Sequence, residues 1–241
     1  MMDRIVTIFG SCMGLVLCSF AQSSSKVHFA GSQMKVRQGD LSASVMLDTL
    51  PKEHLFAIGP EEDLRSEIFV WEGRIFRAGV MADTKQPYVE KDVEGMKAVF
   101  LVWANVSVWD TLVLRPPIAN LSDLEEAIGK AAHEHGTDTS RAFPFLLFGK
   151  LSTAKGHIMD KDPALTDITP AVAEGARRYY PIEGQKAQMV GFYSHHHQRI
   201  FTHHDSFIHI HYRLYSKYHA GHLDEAAFDA AEPLRLLLPK K

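Results

Sequence analysis

The sequence predicts an α+β fold of mostly antiparallel or mixed sheet, arranged as two packed lobes with a few helices. Three observations carry this. Strand-like runs outnumber helical ones. They do not alternate regularly with helices, as a doubly wound parallel sheet requires. Only one long stretch, Leu121–His135, has a clear helical period. The 241 residues are 46% hydrophobic and 23% charged, a globular composition long enough for a sizeable core.

Residues 1–21 read as a cleaved export signal. Arg4 precedes an apolar run over 5–20, broken by Gly10, Ser11 and Gly14, and Ser19-Phe20-Ala21 fits the small-x-small cleavage rule. The run is short for a membrane span, and the polar residues 22–26 follow it. Lipid attachment through Cys18 and an uncleaved anchor are the alternatives. The expected location is periplasmic or extracellular, with no stable membrane association once the signal is removed. Residues 22–241 then form the functional domain, with any lobe boundary near 115–142. Both cysteines, Cys12 and Cys18, lie in the signal, so the rest of the chain can form no disulfide. A metal site there must use imidazole and carboxylate.

In chain order, residues 27–50 read as strand, a turn at Gly39-Asp40, then helix or strand. Residues 68–79 (IFVWEGRIFRAG) read as a hairpin turning at Glu72-Gly73. Residues 98–114 read as buried strand. Leu121–His135 reads as a helix with a Ser122/Glu125 capping box and Gly136 closing its end. Residues 143–151, 188–193 and 206–215 read as strands. Residues 224–238, which alternate less clearly and include Pro233, read as a short helix and a tail.

The net charge is -3, and no basic run interleaved with aromatics occurs, which argues against a nucleic-acid partner. Fourteen histidines are present, nine of them between His195 and His222. In the strand at 206–215, Ile208, Ile210, Tyr212 and Leu214 take one face. Phe207, His209, His211 and Arg213 take the other. Two imidazoles at i and i+2 on a strand can reach one metal. His222 stands just beyond a turn at 216–221, where the chain can fold back. Three imidazoles leave a fourth position open, the ligand count of a catalytic zinc. His195, His196, His197, His203 and His204 also fit a surface metal buffer.

The spacing His209-x-His211, ten residues, then His222 within Ala220-Gly221-His222-Leu223-Asp224 resembles the zinc motif of the acetolactate decarboxylase family. Residues 56–59 (FAIG), then Leu64, Glu67 and Gly73, resemble the family segment that carries an active-site glutamate. Gly39-Asp40, the Leu121–His135 helix with the following strand, and Val190-Gly191-Phe192 extend the likeness over most of residues 36–224. The resemblance implies Zn²⁺ on His209, His211 and His222. It also implies decarboxylation of 2-acetolactate (2-hydroxy-2-methyl-3-oxobutanoate) to acetoin and CO2. Glu67 is then the candidate general acid/base. Where the family has an active-site arginine, eight residues after the glycine matched by Gly149, this chain has His157. His157 and Arg213 are the candidates to hold the substrate carboxylate. Asp205 and Asp224 are the nearest acidic partners for the imidazoles. The rival readings are a non-catalytic extracytoplasmic His-rich metal-binding protein on the same fold, and another zinc lyase or hydrolase. A homodimer is left open.

Overall fold

The structure is a computed structural model that describes residues 25–241 except 116, 167 and 216–218. The export signal at 1–21 lies outside the described residues. No helix among the described residues is long and apolar enough to cross a membrane.

The first sheet is built from β1 (His28–Ala30), β3 (Leu55–Pro60), β4 (Glu67–Trp71), β5 (Arg74–Val80), β6 (Pro87–Lys91) and β8 (Leu101–Asn105). Their order is β1-β8-β3-β4-β5-β6 and every pairing is antiparallel. β2 (Val45–Met46) and β7 (Lys97–Ala98) form a separate two-stranded ladder, and α1 (Gln33–Arg37) follows β1. The β4–β5 hairpin turns as expected. Glu72 and Gly73 both have positive φ, 49° and 75°, as a two-residue hairpin loop matching the strand twist requires.

The second sheet comprises β9 (Trp109–Leu114), β10 (Phe143–Met159), β11 (Arg177–Tyr193), β12 (Ile208–Leu214), β13 (Ala220–Phe228) and β14 (Leu234–Pro239). β10 pairs with β11 on one side and with β13 and β14 on the other. β11 pairs with β12, and β12 with β13. β10, β11, β12 and β13 therefore close a ring of ladders. The chain changes sheet between Asn105 and Trp109, upstream of 115–142, which contains α2 (Leu121–His135). α3 (Pro170–Gly175) leads into β11.

The two sheets pack through Phe56, Ile58, Phe69, Phe76 and Val102 on one side and Leu146, Val190, Phe192 and Phe201 on the other. Helix α2 covers the opposite face of the second sheet. There Leu124, Ile128 and Ala132 meet Phe145, Met189, Ile208, Ile210 and Tyr212. The alternation expected of β12 thus holds, with its isoleucines toward α2 and its histidines toward the first sheet.

Three expectations are corrected. Residues 98–114 are not one strand, because the chain leaves the first sheet after β8 and re-enters the second as β9. Residues 224–238 are not helical. β13 and β14 find backbone partners in β10, β12 and β9, and that ladder outweighs the helix propensity of the alanine-containing stretch. The N-cap of α2 is Asn120, whose Oδ1 accepts from the Asp123 N–H at 2.9 Å. Ser122 lies inside the first turn. Glu125 instead accepts from the Ser206 hydroxyl and the Phe207 N–H, both at 2.7 Å, which ties α2 to the start of β12. Gly136 ends the helix in the left-handed conformation, φ 75°, as the sequence predicts.

Where β13 crosses β10, Gly221 leaves no room for a side chain. A Cβ there would lie 2.5 Å from the His157 carbonyl oxygen, a backbone atom that cannot rotate away. Gly221→Ala should therefore cost ~1–3 kcal/mol, roughly 2–4 °C of Tm for each kcal/mol. An unchanged melting curve would contradict the described approach of β13 to β10.

Candidate metal centre

Strand register assembles the site. On β12, Phe192 opposes His209 and Val190 opposes His211 across the β11 ladder. His211 opposes His222 on β13, and His222 opposes His157 on β10. Directly opposed residues on adjacent strands point to the same face. His157, His222 and His211 therefore stand abreast, with His209 one pleat further along β12. The ring centroids of His209, His211 and His222 lie 5.0 to 5.5 Å apart, and His157 lies 4.6 Å from His222.

Glu67 arrives from the first sheet, at the start of β4, just after Asp63 and Leu64 in left-handed backbone conformations (φ 62° and 52°). Such strain in non-glycine residues is costly and concentrates at functional sites. Glu67 Oε1 lies 3.7 Å from His157 Nε2, and Oε2 lies 3.6 Å from His211 Nε2. The His211 ring is anchored across the seam, its Nδ1 donating to the Ile68 carbonyl at 2.9 Å. His157 Nδ1 donates to Asp224, 2.8 Å from each carboxylate oxygen. His222 Nδ1 is 3.4 Å from Asp224 Oδ1.

These groups line a cavity of about 240 Å³, together with Leu64, Phe100, Arg177 and His203. Burial pushes the Glu67 carboxyl well above its ordinary value, and the Asp224 charge adds to this. Burial, reinforced by neighbouring imidazoles, pushes His209 and His211 well down. Burial also lowers His157 to about 4, against the hydrogen bond to Asp224. Burial alone would raise Asp224, but the hydrogen bond from His157 and the nearby His222 ring outweigh that and hold it below the carboxylate range. Burial thus disfavours the charged forms of Glu67, His157, His209 and His211, while Asp224 is favoured as the carboxylate.

The donor set fits a divalent metal. Among the described residues, five buried side-chain polar atoms lack a hydrogen-bond partner. Three of them, Glu67 Oε2, His209 Nδ1 and His222 Nδ1, belong to this cluster. His209 Nε2 and His211 Nε2 face each other at 3.2 Å. With Nδ1 of His211 donating to a carbonyl, its Nε2 carries the lone pair that a metal would take in place of the contact with His209.

The structure brings together Glu67, His157, His209, His211 and His222, and does not bring in Arg213. That guanidinium lies 4.5 Å from the Phe76 ring centre and is within hydrogen-bonding reach of Gln188, because position 213 lies one pleat beyond His211, away from the cavity. The residue that sequence reasoning missed is Arg177, which lines the cavity and pairs with Glu174 at 2.8 Å. Its signal was strand pairing. A β10 strand extended to Met159 puts Arg177 opposite that residue, two positions from His157. The other histidines divide. His195 and His197 pack against Phe207 and Phe201, while His203, His204 and Asp205 form an exposed group.

Acid should unfold the metal-stripped protein early. His157, His209 and His211 bind protons less readily folded than unfolded, so stability falls as pH drops through about 6.5 toward about 4. Glu67 acts in the opposite sense, since its folded carboxyl keeps its proton to higher pH, and one such group opposes three imidazoles. Asp224 adds a loss only below its ordinary value of 3.8. Tm of the chelated protein should therefore decline between about pH 7 and about pH 5. A flat profile would mean that these imidazoles are not buried and neutral.

No family model and no curated protein matches the chain in sequence. Solved structures do match in fold. An acetolactate decarboxylase from Bacillus subtilis subspecies spizizenii superposes with a TM-score of 0.70 at 14% identity, covering 90% of this chain and 87% of that one. The alpha-acetolactate decarboxylase of Bacillus subtilis strain 168 gives 0.71 at 15% identity, covering 90% and 86%. A Staphylococcus aureus protein of unknown function, similar to alpha-acetolactate decarboxylase, gives 0.69 at 12% identity, covering 89% and 86%. The chain has the acetolactate decarboxylase-like fold, at identities too low to carry residue roles across.

Proposed function

We propose that this protein is a metal-dependent carboxy-lyase acting on a small 2-hydroxy-3-oxo acid, with 2-acetolactate the first candidate and acetoin and CO2 the products. The observation that carries this reading is the buried Glu67 carboxyl facing two imidazole nitrogens in the cavity, its pKa raised by burial. The fold likeness supports the same class. His209, His211 and His222 would hold the metal, zinc by the preference of such a set, although imidazoles accept other transition metals. A bound divalent ion supplies Lewis acidity toward substrate oxygens that gain charge as the carboxylate departs.

The remaining work falls to side chains. Arg177 lies at the cavity wall, where its guanidinium can take the substrate carboxylate in exchange for Glu174. Loss of CO2 breaks the bond between that carboxylate and the hydroxyl-bearing carbon, and the electron pair moves into the adjacent carbonyl to give an enolate. Glu67, kept protonated by burial, then donates a proton to that carbon and is recharged from solvent. Leu64 and Phe100 add buried apolar surface to the cavity, which favours the less charged product.

The second reading is a non-catalytic metal-binding protein on the same fold, favoured by the exposed His203, His204 and Asp205 group. Under either reading we place the protein outside the cytoplasm, on the strength of the apolar N-terminal run alone. Detection of the uncleaved chain in the cytoplasm of its producing cell would reverse that placement.

Purified protein, zinc-loaded, should form acetoin from racemic acetolactate, and chelation should abolish it. Glu67→Gln should lower kcat by roughly 10²–10⁴-fold. Arg177→Ala should raise KM roughly tenfold or more while sparing kcat relatively. A folded protein that retains tight zinc yet makes no acetoin would discard acetolactate and favour the binding reading.

A further inference from the structure

We propose that His157 is a fourth imidazole ligand of this centre, held in place by Asp224. The proposal rests on reading the cluster as a divalent-metal site. It departs from the three-histidine set that the sequence predicts, and it gives the residue standing in the family's arginine position a different task.

Geometry comes first. His157 and His222 are directly opposed across the β10–β13 ladder, on the face they share with His211. Their ring centroids are 4.6 Å apart, closer than any pair among His209, His211 and His222, whose closest approach is 5.0 Å. Ligating atoms of His157, His222 and Asp224 all lie within 4.8 Å of one another. On the His211 side the link is the Glu67 carboxyl, 3.7 Å from His157 Nε2 and 3.6 Å from His211 Nε2.

Hydrogen bonding points the same way. A metal-bound imidazole characteristically donates its other N–H to a carboxylate or a carbonyl, which fixes both tautomer and ring plane. His157 makes that bond with Asp224, and His211 makes it with Ile68. The Nε2 of His157 is thereby left as a bare lone pair, turned into the cavity. Its nearest acidic atom is Glu67 Oε1 at 3.7 Å, beyond hydrogen-bonding distance. The side chain is only 7% exposed, and what it exposes lines the cavity. A cation for a substrate carboxylate would need a charged ring, whereas this one is buried beside other imidazoles. Arg177 supplies the nearby positive charge.

Four nitrogens fill the tetrahedral preference of zinc. The centre would hold its metal tightly, and an entering ligand must either raise the coordination number or displace one imidazole.

Cobalt(II) substitution of the full chain reads the ligand set without reference to turnover. Wild type should show the intense visible bands of a tetrahedral nitrogen site. His157→Ala should weaken and shift those bands and loosen zinc by about tenfold or more. Asp224→Asn should loosen zinc comparably while leaving the band pattern intact. His157→Cys should add a thiolate-to-cobalt charge-transfer band, which only a sulfur bonded to the metal produces, and this variant decides the matter if His157→Ala fails to fold. Unchanged cobalt spectra and zinc affinity in His157→Ala, with no charge-transfer band in His157→Cys, would overturn the proposal. Loss of metal in His209→Ala alone would then preserve the three-histidine centre. Wild type that takes up no cobalt or zinc would overturn both readings together.

Discussion

Cross-strand register is the constraint on which this molecule depends. His157, His222 and His211 belong to three different strands and come abreast only because β10, β13 and β12 pair in one alignment. A slip of one residue in any of these ladders would turn a histidine to the opposite face, toward the apolar layer under α2. The register is held at several points. Gly156 and Gly221 let backbones approach where a side chain would collide with Tyr212 or with the His157 carbonyl. The isoleucines of β12 are committed to the α2 core, which prevents rotation of that strand. Glu125 grips the strand start through Ser206 and Phe207.

The site lies where the apolar seam between the sheets gives way to polar groups. Phe192 and Val190 fill the seam, and the histidines opposite them on β12 occupy its end. This position explains the electrostatics. Groups placed there lose hydration, which disfavours the charged forms of His157, His209, His211 and Glu67, while the hydrogen bond from His157 favours the Asp224 carboxylate. It also explains why a glutamate of the first sheet and histidines of the second can meet. The Ile68 carbonyl accepting from His211 is a direct tie between the two bodies, one residue from Glu67.

Much of this was legible in the sequence. The alternation of residues 208–214 marked both faces of β12 because one face is wholly aliphatic or aromatic. The Glu72-Gly73 turn declared its hairpin, and the Leu121–His135 period declared its helix. Other features were hidden for physical reasons. β10 and β11 each run to 17 residues, but the middle of β10 and the first half of β11 alternate irregularly between buried and exposed, so Arg177 and the pairing at His157 left no periodic trace. β13 carries good helix formers whose conformation is decided by partners far away in sequence. Arg213 shared a face with the ligands, yet distance along the strand, invisible to parity, put it over Phe76 instead.

The ring of ladders joining β10, β11, β12 and β13 has a kinetic consequence. Open sheets lose their outermost strand first, and sites on such strands breathe with it. Here each of the three strands bearing a histidine has hydrogen-bonded neighbours on both sides, so none can peel away alone. Local opening of the cluster would require breaking two ladders at once, which places it near the global unfolding event. The chamber therefore keeps its shape while the rest of the molecule fluctuates, and amide exchange along β12 should be among the slowest in the molecule.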